Sequence, residues 1–231
     1  MKIRLKFSKQ GNFRFIGHLD VMRYFQKLNR RAKLDIHYSS GYSPHQEMSF
    51  ATPLGLGLTS DAEYVDIEFN SVPQREELIA RMNVVSLPEL QITDASLLPD
   101  KAKNAMALLA AADYSLSFRE GYEPWSEALF SKFEAFLSQE EILTEKKTKT
   151  AVKEVDLKKQ IRRYERRGES LFLCVDTGSA SNLKPELVME TFYRSLGLDF
   201  DPLQFAVNRE ELYGEEDGAL KALIAYGDRD F

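Results

Sequence analysis

Two short stretches constrain the fold of this chain before anything else does. In Lys2-Ile3-Arg4-Leu5-Lys6-Phe7 basic and apolar residues alternate one for one, and Glu63-Tyr64-Val65-Asp66-Ile67-Glu68-Phe69 repeats the period of two with acidic residues. That period puts Ile3, Leu5 and Phe7 on one face of a strand and Lys2, Arg4 and Lys6 on the other. Both stretches therefore belong to a sheet with an apolar face, and other elements must cover it. From His18 onward, Leu19, Met22, Phe25 and Leu28 fall near helical spacing, which predicts a covering helix to about Ala32.

The same order of elements is then read twice. Strand Lys2–Phe7, the helix from His18, strand Leu34–Tyr38, strand Glu63–Phe69, a helix over Gln74–Met82 behind Pro73, and strand Leu90–Leu97 give β-α-β-β-α-β. After a linker at Pro99–Asn104 and a connector at Ala105–Ala112, strand Tyr114–Phe118 and helix Trp125–Leu137 restart the pattern. Strands Ile142–Lys147 and Ser170–Asp176, a helix over Pro185–Leu196 closed by Gly197, and strand Gln204–Leu212 complete it. The expected fold is α+β, two ferredoxin-like domains in tandem: residues 1–104 with a Gly/Pro-rich loop, and residues 105–231 with a basic insertion. A chain of 231 residues accommodates two modest domains.

Several function classes drop out. No run approaches the roughly 18 apolar residues of a membrane helix, and the alternating N-terminus is a strand and not a signal-peptide core; a cytoplasmic protein without a membrane role is expected. The lone Cys174, in the apolar run Leu171-Phe172-Leu173-Cys174-Val175, cannot form an internal disulfide or supply an iron–sulfur cluster or cysteine-rich zinc site by itself. No dinucleotide fingerprint or P-loop is present. The expectation is no cofactor, no metal and no catalytic activity of the chain's own.

Charge is where function becomes legible. The net charge is −5, yet residues 1–50 hold ten Lys and Arg against three Asp and Glu, and residues 145–167 hold ten against four. The acidic excess lies in residues 51–112 and 201–231, with nine against four and eight against three. A polyanion meets the local face before the global sum. In the first basic region Arg23, Lys27, Arg30 and Arg31 are three, four or seven apart and share part of a helix face. Arg14 and His18 precede them, and Phe13, Phe15 and Tyr42 are rings that stack unpaired bases. A solvated helix face accounts for the same charges. Gly41–Gly57 carries three glycines and two prolines beside Tyr42 and His45; its amides suit phosphate contacts, or its glycines serve only to make turns. The densest tract runs through Lys146, Lys147, Lys149, Lys153, Lys158, Lys159, Arg162, Arg163, Arg166 and Arg167. Its plain alternative is an exposed loop with a short amphipathic helix around Leu157 and Ile161. The candidate RNA contacts are thus Arg14, His18, Arg23, Lys27, Arg30, Arg31, Tyr42, His45, Lys146, Lys147, Lys149, Arg162 and Arg163.

His18, His37 and His45 lack any recognised metal-ligand spacing, and one of them as general acid/base would make the chain a metal-independent RNA endonuclease. A protein-interaction module docking through its acidic segments is the remaining alternative.

Phe13-Arg14-Phe15-Ile16-Gly17-His18-Leu19-Asp20, Ser40-Gly41-Tyr42-Ser43-Pro44, Ser49-Phe50-Ala51-Thr52-Pro53-Leu54-Gly55-Leu56-Gly57 and Glu63-Tyr64-Val65-Asp66 add a family likeness. The chain resembles the radical-SAM-associated domain of unknown function, which stands alone or follows the catalytic part of cobalamin-type radical SAM proteins. The resemblance is strongest over residues 1–110. It implies a radical SAM protein as partner and an RNA-processing context, with a tRNA or an rRNA as the RNA. It transfers no catalytic residue, because the three-cysteine cluster motif of a radical SAM enzyme has no counterpart here. The reading that results is an RNA-binding accessory module.

Overall fold

The computed structural model describes residues 1–147 and 152–231, and at Lys147 the backbone alone. The class is α+β. In chain order the elements are β1 (Lys2–Lys9), a 3-10 turn (Gly11–Phe15), α1 (His18–Arg31), β2 (Met48–Phe50), β3 (Thr59–Glu68), α2 (Arg75–Val84), β4 (Ile92–Leu98) and α3 (Ala105–Leu108). There follow β5 (Leu109–Phe118), α4 (Glu127–Leu137), β6 (Leu143–Lys147), β7 (Val152–Asp156), β8 (Ile161–Arg167), β9 (Ser170–Asp176), α5 (Pro185–Ser195), β10 (Phe205–Glu216), β11 (Ala219–Ala222) and a 3-10 turn (Leu223–Tyr226).

The chain forms two compact units, Met1–Ala110 with Arg209–Phe231, and Ala111–Asn208. The sequence reading divides the chain after residue 104 and leaves 209–231 with the second half. The structure returns that segment to the first unit through strand pairing, the buried Leu212, Leu223 and Ile224, and polar contacts. Arg209 grips Glu63 at 2.8 and 2.5 Å, Glu211 takes Lys6 at 2.7 Å, and Leu97 and Asp228 exchange backbone hydrogen bonds.

In the first unit β1 lies between β4 and β3, antiparallel to both, with Ile3 opposite Ile67 and Leu97. β2 pairs antiparallel with β3, Ser49 opposite Asp66. Ile3, Leu5, Phe7, Val65 and Ile67 join Val21, Phe25 and Leu28 of α1 and Leu78 and Met82 of α2 in one core. The Phe25 ring meets Phe7 edge-on at 4.8 Å and Phe50 at 5.4 Å. Leu19, read from the sequence as part of the apolar stripe, instead points to solvent. Lys33, at φ +53°, turns the chain out of α1 in the left-handed region usually taken by glycine.

The strand expected at Leu34–Tyr38 is reduced to isolated bridges, Ile36 to Phe69 and Tyr38 to Gln46. The Asp35 carboxylate there accepts from Asn70 and Ser71 at 2.9 and 2.8 Å, holding a turn where a ladder would run. The three residues of β2 take the strand's place beside β3.

The other face of β1 is not a solvated basic surface. Arg4 is fully buried, donates to both carboxylate oxygens of Asp66 at 2.7 and 2.9 Å, and reaches the carbonyls of Leu223 and Lys103 at 3.0 and 3.2 Å. Asp66 also accepts from the Ala105 amide at 2.8 Å.

In the second unit β9 lies between β5 and β8, antiparallel to both, and β6 and β7 form a separate antiparallel hairpin. Trp125, Phe133, Phe136, Phe192 and Phe205 fill the space between helices and sheet; the Phe133 and Phe192 rings of α4 and α5 are 5.1 Å apart, edge to face. Among its described residues, 146–147 and 152–167, the basic tract builds the end of β6, β7, a 3-10 turn at Lys158–Gln160 and the edge strand β8, with Leu157 fully buried.

Candidate nucleic-acid interface

α1 carries its apolar residues inward, so the residues between them are left outside. Leu19, Arg23, Lys27, Arg30 and Arg31 are all exposed, and steps of three or four place them along one stripe. Arg23 meets Asp20 at 3.0 Å, and the Arg31 guanidinium lies 5.5 Å from the Tyr24 ring. Among the described residues, Lys27, Arg30, Arg31 and Lys33 have no carboxylate partner. These four cations are the unbalanced charge of the first unit's helix face.

A polar clamp sets the neighbouring loop against that helix. Gln46, 4% exposed, donates from Nε2 to the Gln26 carbonyl and to the Tyr38 hydroxyl, both at 3.1 Å, and its Oε1 accepts from the buried Asn29 amide at 2.9 Å. The segment 38–46 is thereby held beside the middle of α1. At its tip Gly41 has φ +111°, a conformation that side-chain-bearing residues avoid. Tyr42 is fully exposed and Tyr38 partly so. The His45 Nδ1 is 2.8 Å from the Ser39 hydroxyl. Nothing in the sequence marks Gln46 or Asn29, two amides seventeen positions apart.

The lead-in to α1 is fixed from below by Lys9, whose ammonium donates to the Ile16 carbonyl at 2.9 Å and which burial pushes below its ordinary pKa. Phe13 is buried against Tyr24 and is no stacking platform, whereas Phe15 is 59% exposed with the Arg14 guanidinium 4.8 Å above its ring. The Gly57 amide, expected to be free for phosphate, donates to the Arg14 carbonyl at 3.0 Å. Gly57, at φ +83°, makes the turn that permits this. His18 packs edge-on against Phe50 at 5.4 Å, and burial lowers its pKa despite the attraction of Glu63.

The second basic tract is largely balanced within its own unit. Arg162 meets Asp176 at 2.7 Å, Arg163 meets Asp113 at 3.4 Å, and Arg166 pairs with Glu127. Arg163 and Arg167 lie over the Phe172 ring at 5.0 and 3.7 Å. Lys146 donates to the Asn182 carbonyl and lines a cleft of about 450 Å³ in which Lys184 and Arg194 face Glu145 and Glu190. Lys147 contributes its backbone to β6, and Lys149 lies outside the described residues.

The histidines do not converge on a common partner: His37 is 3.0 Å from Asn70 and 3.8 Å from Glu47, apart from the Ser39 contact of His45 and the Phe50 contact of His18. Among the described residues no three His, Cys, Asp or Glu side chains are grouped to hold a metal, and no helix is long and apolar enough to cross a membrane.

A family model described as an uncharacterized protein conserved in bacteria (DUF2344) matches residues 2–185. No curated protein matches the chain. Among solved structures, a chain in the crystal structure of a Cbf5-Nop10-Gar1 complex is 13% identical, with a TM-score of 0.46 over 93% of this chain and 50% of that one. The present chain thus spans about half of that neighbour's length, and a likeness this slight carries no argument.

Proposed function

The chain belongs to the uncharacterised bacterial family DUF2344, and since that membership brings no activity with it, we propose from its own surfaces that it is an RNA-binding module. We read both units as ferredoxin-like, the first presenting α1 and the 38–46 loop to RNA. One observation carries the reading: the Gln46 clamp holds the loop of Tyr38 and Tyr42 beside a helix whose Lys27 and Arg30 lack carboxylate partners. Unpaired surface cations attract phosphate at long range, and phosphate contacts supply most of the affinity in such complexes. The second tract contributes less, because its arginines are already matched by Asp176, Asp113 and Glu127.

The resemblance to the radical-SAM-associated domain adds a partner to this proposal. A separate radical SAM protein would carry the chemistry, and this chain would hold the RNA for it in the cytoplasm.

Crosslinking of the full chain to RNA in cells, followed by sequencing of the bound species, tests the reading. A defined set of RNAs recovered with the parent and lost with Lys27→Gln/Arg30→Gln supports it. Equal recovery with parent and variant, or no RNA above background, removes it and leaves the protein-interaction alternative.

A further inference from the structure

The α1 surface has a second property that cations alone do not explain. Phe15, Leu19 and Leu56 are 59%, 66% and 65% exposed. The Gly57-to-Arg14 hydrogen bond brings Leu56 beside the lead-in turn from which Phe15 projects. Large apolar side chains grouped in this way mark a binding surface. The cation stripe starts at this apolar end and runs along the helix to the loop bearing Tyr42. At 1.5 Å per residue, Leu19 and Arg30 are about 16 Å apart along the axis.

We infer that this surface takes unpaired nucleotides in preference to duplex RNA, with bases stacking on Phe15 at one end of the stripe and on Tyr42 at the other while Lys27 and Arg30 hold the intervening phosphates. The inference rests on the RNA-binding reading and narrows its ligand. A duplex keeps its base faces inside the stack and offers phosphates, ribose hydroxyls and groove edges, none of which covers a phenyl ring and two leucines. An unpaired base offers a flat face that does. Arg14 over Phe15 makes that platform two-layered, since a guanidinium plane also stacks on bases. A peptide with apolar anchors would cover Phe15 and Leu19 too, but it leaves Lys27 and Arg30 unanswered, and charge complementarity therefore favours the nucleic acid.

The test is fluorescence anisotropy of the full chain with a labelled oligouridine and with a fully paired RNA hairpin of the same length, over a range of salt. The single strand should bind at least about tenfold tighter. Phe15→Ala and Tyr42→Ala should each weaken it by about 5- to 150-fold, the range set by the loss of one base–aromatic stack, without changing the salt dependence. Phe15→Trp should keep the affinity, which separates loss of the ring from loss of the fold. Lys27→Gln/Arg30→Gln should instead flatten the slope of log affinity against log salt by about 1.4, at about 0.7 per single-strand phosphate. If the hairpin binds as tightly as the oligouridine, or both alanine variants bind like the parent, the inference is overturned while RNA binding stands. If neither RNA binds at moderate salt, both fall together.

Discussion

Arg4 shows how far a single side chain can depart from what its alternation suggests. It sits on the polar face of β1, yet it is fully buried, and its two nitrogens meet both oxygens of Asp66. Removing one member leaves a charge in a dry site, so Arg4→Ala or Asp66→Ala should each cost about 3 to 5 kcal/mol in urea unfolding, whereas Arg4→Met/Asp66→Leu should recover much of the loss. A double variant no better than the singles would show that the pair is not coupled. His18 provides a pH handle. Burial sets its folded pKa below the unfolded value of 6.5, so the unfolded chain takes up the proton first as pH falls. The stabilisation is complete above about pH 6.5 and is lost as the pH drops from there toward the folded pKa. The parent should lose melting temperature faster than His18→Gln below about pH 6.5; parallel curves would contradict this. Cys174 is pushed up to about 12, chiefly by burial, and its thiol should resist iodoacetamide at neutral pH until the protein is unfolded.

At the scale of elements, the sequence reads best where side-chain period and burial agree. β1, α1, β3, α4, β9 and α5 are each visible because regularly spaced apolar residues pack on the core of their own unit, as Val21, Phe25 and Leu28 do in the first. The pattern failed where pairing decides the outcome. Leu34–Tyr38 has strand composition, but the Asp35 hydrogen bonds turn it aside. Charge density in the second tract likewise gives no sign that Arg162 and Arg163 have carboxylate partners on β9 and β5. Of the candidate contacts, the α1 stripe was legible from spacing, and the clamp by Gln46 was not. The two basic regions should therefore respond differently. Arg162→Gln/Arg163→Gln should lower the stability of the second unit, by about 1 kcal/mol since both arginines are partly exposed, and change RNA affinity little. Lys27→Gln/Arg30→Gln should do the reverse. Melting curves and binding isotherms on the same two variants separate these outcomes, and a large affinity loss from the β8 variant would move the interface to that strand.

At the scale of the molecule, the chain leaves its first unit after Ala110 and returns at Arg209, so the first unit is not a contiguous piece of sequence. What returns is as apolar as it is charged: Leu212, Leu223 and Ile224 are buried, and its polar residues complete charges already in the unit. Arg209 answers Glu63, Glu211 answers Lys6 and the Tyr64 hydroxyl at 2.5 Å, and the Leu223 carbonyl takes a third hydrogen bond from Arg4. Burial together with the nearby Glu211 carboxylate raises the Tyr64 pKa, so at neutral pH its hydroxyl is the donor in that contact. A chain ending at Asn208 would keep every residue of the hydrophobic core around Phe7 and Phe25 except Phe231, which packs against its margin, yet strand Glu63 and Lys6 without their partners. The cut also removes the buried Leu212, Leu223 and Ile224; only if the returning segment merely covered the unit would such a chain melt close to the full-length protein. Because lost apolar burial and uncompensated buried charge are both costly, the expected result is that residues 1–110 of the truncated chain become the first target of limited proteolysis. Residues 111–208 lose most of β10 but keep β5, β8, β9, α4 and α5, and they should persist as the more slowly cut fragment. Mass spectrometry of the digest decides between the two, and a truncated chain whose first half is cut no faster than in the full protein would show that the returning segment covers the first unit without holding it together.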